Sequence, residues 1–416
     1  MKILKIKGGK ELSGTIEIGG AKNSAVALVP AAILAEEVTI TNVPNISDID
    51  ALEIIINYLG GSFKKNNGNL IINSKNLKNK AITLEQSQML RASSYFMGAL
   101  LGKFKYAEMY FPGGCTIGAR PIDIHLYGFK KLGAKVKMKE DKYIISADKL
   151  IGNEIELSFP SVGATINILL AAVYAEGKTV IKNAAREPEV GNVIDLLNNL
   201  GAQIKGKDTN TLEIKGVKKL SKAQIKTIPD RIEAGTYLIA GVMQGKNLKI
   251  NNIIPEHIQS LIDNLTKMGA KIEVGDNYVI ANKIDNLKPI NIETETYPGF
   301  PTDLQQPITS LLALANGEST ITENIYENRF QNVPYLKSMG ADIKIKDRTL
   351  IINGPTKYIA REVITTDLRA GAALILAALC ADGLTTIKEV KYVLRGYGNI
   401  IKKLSKVGAE IKLEEV

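Results

Sequence analysis

SVGATINILLAAVYAEGKTVIKNAAREPEVGNVIDLLNNLGAQIKGKDTNTLEIK, residues 161–215, holds one copy of the unit from which the fold is built. Ala164 to Ala175 is rich in Ala, Leu and Ile on most sides, the pattern of a helix buried nearly all round. Thr179-Val180-Ile181 follows as a short strand, and Val193 to Leu200 is amphipathic at helical spacing with Gly201 as its stop. A charged, β-like tail closes the stretch. Another copy makes the tail explicit: Lys135 to Met138 and Tyr143 to Ser146 predict a hairpin turning at Glu140-Asp141-Lys142. The unit therefore reads βαβαββ.

Outward from this copy the same phrases return. Leu-Gly-Gly or (Leu/Met/Val)-Gly-Ala, followed by a charged stretch, occurs at Gly60, Gly133, Gly201, Gly269, Gly340 and Gly408, a period of about 70 residues. An apolar run closing on a small or polar turn ends near Glu37, Gly102, Gly177, Gly245, Gly317 and Gly383. Six units, three per half, predict an α/β chain of two similar domains, residues 21–228 and residues 1–20 with 229–416. The chain passes out near Gly19 to Lys22 and back near Thr227 to Asp230. The sixth copy stops at Val416 without a closing strand, while Met1 to Ile6 is a strand with no unit of its own, so it is expected to complete the C-terminal half. A ligand is expected in the cleft between such halves.

Composition narrows the function. With 416 residues, 45% hydrophobic and 23% charged, the chain reads as an ordinary globular protein rather than a disordered one. It shows no signal peptide and no apolar run of membrane length, so a cytoplasmic location away from the membrane is expected. Cys115 and Cys380 lie far apart with no metal-ligand spacing around either; no disulfide framework, metal or other cofactor is indicated. The net charge of +10 fits nucleic acid or an anionic small molecule. Aromatics are sparse and the cations recur at matching helix starts and loops rather than along one extended face, which favours the small molecule over a nucleic-acid-binding repeat protein.

The start of each buried helix carries an unusual cluster: Ala21-Lys22-Asn23, Met89-Leu90-Arg91, Ser161-Val162-Gly163, Pro229-Asp230-Arg231, Pro301-Thr302-Asp303 and Asp367-Leu368-Arg369. Capping explains the Ser, Thr, Asp and Asn. It does not explain Lys22, Arg91 and Arg369, which sit at the positive end of a helix dipole, where acidic groups are favoured. An anion held jointly by helix N-termini and these cations resolves the conflict.

One repeat also carries an insertion, Pro112-Gly113-Gly114-Cys115-Thr116-Ile117-Gly118-Ala119-Arg120-Pro121, whose glycines and placement on a single copy suggest a lid. Arg120 close to Cys115 is the setting that lowers a thiol pKa and makes it reactive. Matching loops in other copies carry Arg186, Arg329 and Arg395, side chains suited to paired contacts with carboxylate or phosphate.

Along essentially its whole length the chain resembles the enolpyruvyl transferases. The residues that carry the resemblance are Gly20-Ala21-Lys22-Asn23, Pro112 to Pro121, Glu187-Pro188-Glu189, Pro229 to Glu233, Phe300 to Asp303, Glu327 to Phe330 and Asp367-Leu368-Arg369, and they are similar to the branch that uses UDP-N-acetylglucosamine. The resemblance implies the two-domain, inside-out α/β barrel fold of that family. It implies transfer of the enolpyruvyl group of phosphoenolpyruvate to the 3-hydroxyl of the sugar, with Cys115 as acid and site of a covalent adduct, and Asp303 as base. Lys22, Arg120 and Arg395 are then placed at the phosphoenolpyruvate phosphate, Lys22 and Arg395 counting among the catalytic residues; Arg329 and Arg369 are placed at its carboxylate, and Asn23 also among the residues that bind phosphoenolpyruvate. Asn23, Arg91, Asp303 and Ile325 line the sugar; Arg120, Pro121, Ile122, Asp123 and Ile124 receive the uridine; Ser161, Val162 and Gly163 suit the diphosphate. The shikimate-pathway sister enzyme shares the architecture but lacks the cysteine lid. Ser47 and Phe159 stand where relatives often carry lysine, and Tyr95 where they carry tryptophan.

Overall fold

The computed structural model describes residues 2–113 and 121–415. These divide into two compact units, one of residues 20–113 and 121–228, the other of residues 2–19 and 229–415. Each has its own apolar core.

The unit of residues 20–228 is organised around the helices Lys22–Ala32, Tyr95–Phe104 and Val162–Ala172. From Ala164 to Ala172 every side chain of the last is buried, as its composition predicts. Ser161 caps this helix, as the cluster at its start predicts, its hydroxyl accepting the Ala164 N–H at 3.2 Å, and the helix ends at Ala172 rather than at Ala175. Close helix packing depends on two glycines. A Cβ on Gly98 would lie 2.2 Å from the Asn167 carbonyl oxygen, and one on Gly102 2.5 Å from that of Leu170. Two backbones thus approach as only glycine permits. Gly98→Ala is expected to destabilise this unit by about 1–3 kcal/mol through forced separation of the helices, read as a lower midpoint in urea unfolding.

Three sheets surround these helices. In the copy quoted above, Glu154–Glu156 runs parallel to Lys178–Lys182, which pairs antiparallel with Thr211–Lys215, itself antiparallel to Gln203–Lys205. The parallel pair brackets the buried helix, as a βαβ crossover requires. A second sheet is formed by Tyr106–Tyr110, Lys142–Ser146 and Lys135–Lys139, where the parallel strand shrinks to a single bridge between Ile82 and Met109. In the third, the parallel partner of Glu37–Thr41 is Ala223–Lys226, the last strand of the unit. The end of this segment therefore completes its first sheet.

The other unit repeats the plan around Arg231–Gln244, Gln305–Leu312 and Leu368–Cys380. Its sheets are built alike: Leu12–Glu17 is the parallel partner of Gly245–Asn251, and Asn291–Glu293 that of Glu318–Thr322. Lys2–Lys7 lies between Leu384–Lys388 and Glu410–Glu415, antiparallel to both, in the position that Thr349–Asn353 holds in the neighbouring sheet. The sheets among the described residues are separate, of three or four strands, and none closes on itself as a barrel. Glu233, buried in the first turn of its helix, accepts the Gly19 N–H at 3.4 Å and the Lys403 ammonium at 2.7 Å, and so anchors the point where the chain leaves this unit.

Candidate active site

In the unit of residues 229–415, three distant segments bring Asp303, Arg329 and Arg369 together. Asp303 lies in the short 3₁₀ turn Thr302–Leu304 that leads into Gln305–Leu312. Arg369 lies in the first turn of Leu368–Cys380, where Asp367 caps the Arg369 and Ala370 N–H groups at 2.9 and 3.0 Å. Arg329 comes from the loop after Glu318–Thr322. Its Nη2 meets Asp303 Oδ1 at 2.6 Å, and Arg369 Nη2 meets Asp303 Oδ2 at 2.9 Å.

Burial and charge compete at this cluster. Burial alone would push the Asp303 carboxyl up, but the Arg369 and Arg329 guanidiniums beside it hold it well below the usual carboxylate range. Burial likewise works against both guanidinium charges, and Asp303 reverses that effect, leaving both pKa values raised. Behind Arg329 stands Thr302, whose Oγ1 accepts from Nη1 at 2.8 Å and donates to Glu323 Oε2 at 2.8 Å. Glu323 is fully engaged: Oε1 takes the Thr294 hydroxyl and the Ile325 and Tyr326 N–H groups at 2.9–3.0 Å. Ile325 is half-buried beside this carboxylate. The Tyr397 ring lies 5.3 Å from the Arg369 guanidinium carbon, and Arg395 begins where the helix Lys391–Leu394 ends, two residues before it.

The other unit holds the remaining candidates. Lys22 is the first residue of Lys22–Ala32, and its ammonium pairs with Asp48 at 2.9 Å; Asn23 is half-buried next to it. Arg91 does not begin an α-helix as the repeat predicts. Thr83 and Gln86 form a capping box that nucleates a separate helix, Leu84–Met89, after which Leu90 is extended and Arg91 opens the 3₁₀ turn Arg91–Ser94. Arg91 Nη1 reaches the Pro112 carbonyl at 3.4 Å.

Pro121 and Ile122 lead into the helix Asp123–Lys131, with Asp123 exposed and Ile124 half-buried. Beneath them His125 is buried against Gly163, where an added Cβ would lie 2.9 Å from the ring. Asn167 Oδ1 accepts the Gly98 N–H at 2.8 Å, so its amide nitrogen is the donor to His125 Nδ1 at 2.9 Å. That pairing makes the imidazole neutral with its proton on Nε2. The glycine-packed helices thus orient the histidine next to Ser161, Val162 and Gly163. Cys115 and Arg120 lie outside the described residues. Ser47 opens the helix Ser47–Tyr58; Phe159 is exposed and Tyr95 opens Tyr95–Phe104. Arg186 is exposed, with Nε on the Asp208 carbonyl at 3.2 Å.

The sequence reading missed Asp48 and Glu323, and it took Thr302 as a helix cap, whereas the Thr302 hydroxyl caps no helix N–H and instead joins Arg329 to Glu323. For Glu323 the residue type gave no signal, since Glu389 stands at the equivalent place; only the backbone angle sets it apart. In other copies the residue after the equivalent strand is Asn42, Asn183, Asn252 or Glu389, each with φ between 54° and 57°. Glu323 departs from that pattern and uses its carboxylate instead. Among the described residues no group of His, Cys, Asp and Glu could hold a metal, and no helix is long and apolar enough to cross a membrane.

A family model described as EPSP synthase (3-phosphoshikimate 1-carboxyvinyltransferase) matches residues 6–404. UDP-N-acetylglucosamine 1-carboxyvinyltransferase 2 of Listeria monocytogenes is 49% identical over 409 residues, 98% of this chain and 97% of its own. The protein of that name from Bacillus subtilis is 48% identical over 418 residues, 100% of this chain and 97% of its own. Among solved structures, the enolpyruvyl transferase NikO from Streptomyces tendae matches with a TM-score of 0.90 at 26% identity, over 100% of this chain and 99% of its own. An EPSP synthase from Acinetobacter baumannii matches in fold, with a TM-score of 0.75 at 20% identity over the whole of both chains.

Proposed function

We propose, since the chain belongs to the EPSP synthase family and within it to the UDP-N-acetylglucosamine 1-carboxyvinyltransferases, that it transfers the enolpyruvyl group of phosphoenolpyruvate to the 3-hydroxyl of UDP-N-acetylglucosamine. Phosphate is released, and the reaction is the first committed step of peptidoglycan synthesis, carried out in the cytoplasm. The observation that carries this reading is near-full-length identity of almost half to enzymes of that name, joined to the buried Arg329–Asp303–Arg369 cluster.

The chemistry needs an acid, a base and anion holders. As the sugar O3 bonds to C2 of phosphoenolpyruvate, the O3 proton goes to Asp303 and the methylene carbon takes a proton from Cys115. Elimination then breaks the bond from C2 to the phosphate oxygen, and the Cys115 thiolate takes back a methyl proton, which restores the double bond. Arg329 and Arg369 suit the substrate carboxylate, because buried arginines can offer paired N–H groups to it. Lys22, Arg120 and Arg395 are assigned to the phosphate, and Asn23 to the phosphoenolpyruvate site beside them. Asn23, Arg91, Asp303 and Ile325 are assigned to the sugar, and Pro121, Ile122, Asp123 and Ile124 with Arg120 to the uridine. Ser161, Val162 and Gly163 offer the N-terminus of Val162–Ala172 to the diphosphate, a favourable place for negative charge.

Phosphate release from phosphoenolpyruvate decides the reaction when measured with UDP-N-acetylglucosamine, with shikimate 3-phosphate, and with neither. Release with the UDP-sugar alone is expected; release with shikimate 3-phosphate would move the chain to the sister activity. The cysteine assignment has its own measurement. Cys115→Asp is expected to retain turnover, since a carboxyl also donates protons, while losing alkylation by the epoxide fosfomycin, toward which a carboxylate is a far poorer nucleophile. Unchanged alkylation of that variant, followed by mass spectrometry, would remove Cys115 from the site.

A further inference from the structure

Arg329 and Arg369 are brought together from repeats 40 residues apart in number, with side chains only 3% and 5% exposed. Two guanidiniums buried side by side have lost hydration and repel one another, so the pair is tolerable only with an anion between them. That anion is Asp303. The fit is incomplete. Asp303 spends one oxygen on each arginine, so neither receives the two-bond fork that a guanidinium offers a carboxylate. Arg329 Nε is buried and has no hydrogen-bond partner among the described residues. Nη1 of the same side chain is held by Thr302, which Glu323 fixes in turn. Arg329 is therefore held from behind, while a quarter of the Asp303 side chain remains accessible.

We propose that Asp303 is an internal stand-in for the carboxylate of phosphoenolpyruvate, occupying Arg329 and Arg369 in the free enzyme and leaving them when that carboxylate arrives. The inference rests on the assignment of the two arginines to the substrate carboxylate. A substrate carboxylate that forks onto one guanidinium, using the idle Nε, makes more hydrogen bonds than Asp303 does. Its arrival also changes what Asp303 can do. Between two arginines the carboxylate is a poor proton acceptor, because both cations favour its charged form. Displaced from them, it regains basicity next to the sugar hydroxyl and takes the O3 proton as the O3–C2 bond forms. Phosphoenolpyruvate thereby arms the base that its own reaction needs, and the free enzyme keeps that base disarmed.

The test uses phospholactate, the saturated analogue that cannot undergo addition, and ethyl phosphate, which lacks the carboxylate. Both are titrated into the full-length protein with UDP-N-acetylglucosamine present. Asp303→Asn keeps the side-chain size and removes the competing charge, so it is expected to bind phospholactate about tenfold tighter or more, on the scale of a charge-assisted contact, with ethyl phosphate unchanged. Equal or weaker binding of phospholactate overturns the proposal. For a variant too unstable to titrate, thermal melts in acetate decide: an external carboxylate should raise Tm of D303N more than that of the wild type, and equal shifts overturn the proposal. Arg369→Lys and Arg329→Lys separate this inference from the reading beneath it. If neither weakens phospholactate, the carboxylate assignment itself fails; if they weaken it and D303N does not strengthen it, only the stand-in fails.

Discussion

Asp303→Asn is expected to lower kcat with phosphoenolpyruvate and UDP-N-acetylglucosamine by about 10²- to 10⁴-fold, the usual worth of a positioned general base. The amide fills the same space and can still face the two arginines, so the loss reports proton transfer rather than a collapsed site. KM for phosphoenolpyruvate should fall rather than rise, because the internal competitor has lost its charge. Steady-state kinetics at saturating UDP-sugar read both effects, and a fall in kcat accompanied by a rise in KM would contradict the double role. The same substitution bears on stability. The folded pKa of Asp303 lies below that of an unfolded aspartate, about 3.9, so its stabilisation is fully present above that value and is lost as pH falls toward the folded pKa. D303N should therefore be less stable than the wild type near neutrality, with the difference narrowing below about pH 4.

Arg369→Ala should be as damaging by a different route. It leaves Asp303 with Arg329 alone and removes one of the two groups assigned to the substrate carboxylate. Removing one member of a desolvated, hydrogen-bonded charge pair costs about 2–5 kcal/mol, so kcat/KM for phosphoenolpyruvate should drop roughly 30- to several-thousand-fold. The folded chain should also lose stability, because Tyr397 packs on this guanidinium and its hydroxyl is tied to Thr236 at 2.9 Å. Arg369→Lys tests charge against geometry. A lysine ammonium restores the charge but not the planar fork, so most of the kinetic loss should remain while much of the stability returns. Chemical denaturation alongside kinetics distinguishes the two contributions.

The repeat was legible because its signals are local. Helix stops such as Gly201, with φ of 102°, and the turn at Glu140, with φ of 54°, write themselves into neighbouring residues. Apolar composition likewise marks helices at Ala164 to Ala175 and Ala370 to Ala381 without knowledge of what covers them, within a few residues of the observed Val162–Ala172 and Leu368–Cys380. The unattached strand at the N-terminus could be matched to the incomplete sixth copy because a sheet edge demands a partner. Where local signals competed, the reading slipped: the capping box at Thr83 starts a helix that the repeat does not predict, and Arg91 is displaced into a 3₁₀ turn.

Candidate site residues were legible as types and as places in the repeat, and Lys22 and Arg369 stood out as cations at the wrong end of a helix dipole. Their partners were not. Asp303 meets Arg329 across 26 residues and Arg369 across 66, and Lys22 meets Asp48 from the helix after its own. Such pairings depend on how helices and loops from different repeats pack, which no periodicity encodes. By itself the sequence determined the six-fold repeat, the buried helices and the set of cations available for an anion. Only the tertiary structure decided that Asp48 pairs with Lys22 and that Asp303 pairs with both Arg329 and Arg369, because a buried positive charge must find its counter-charge wherever packing brings one within reach.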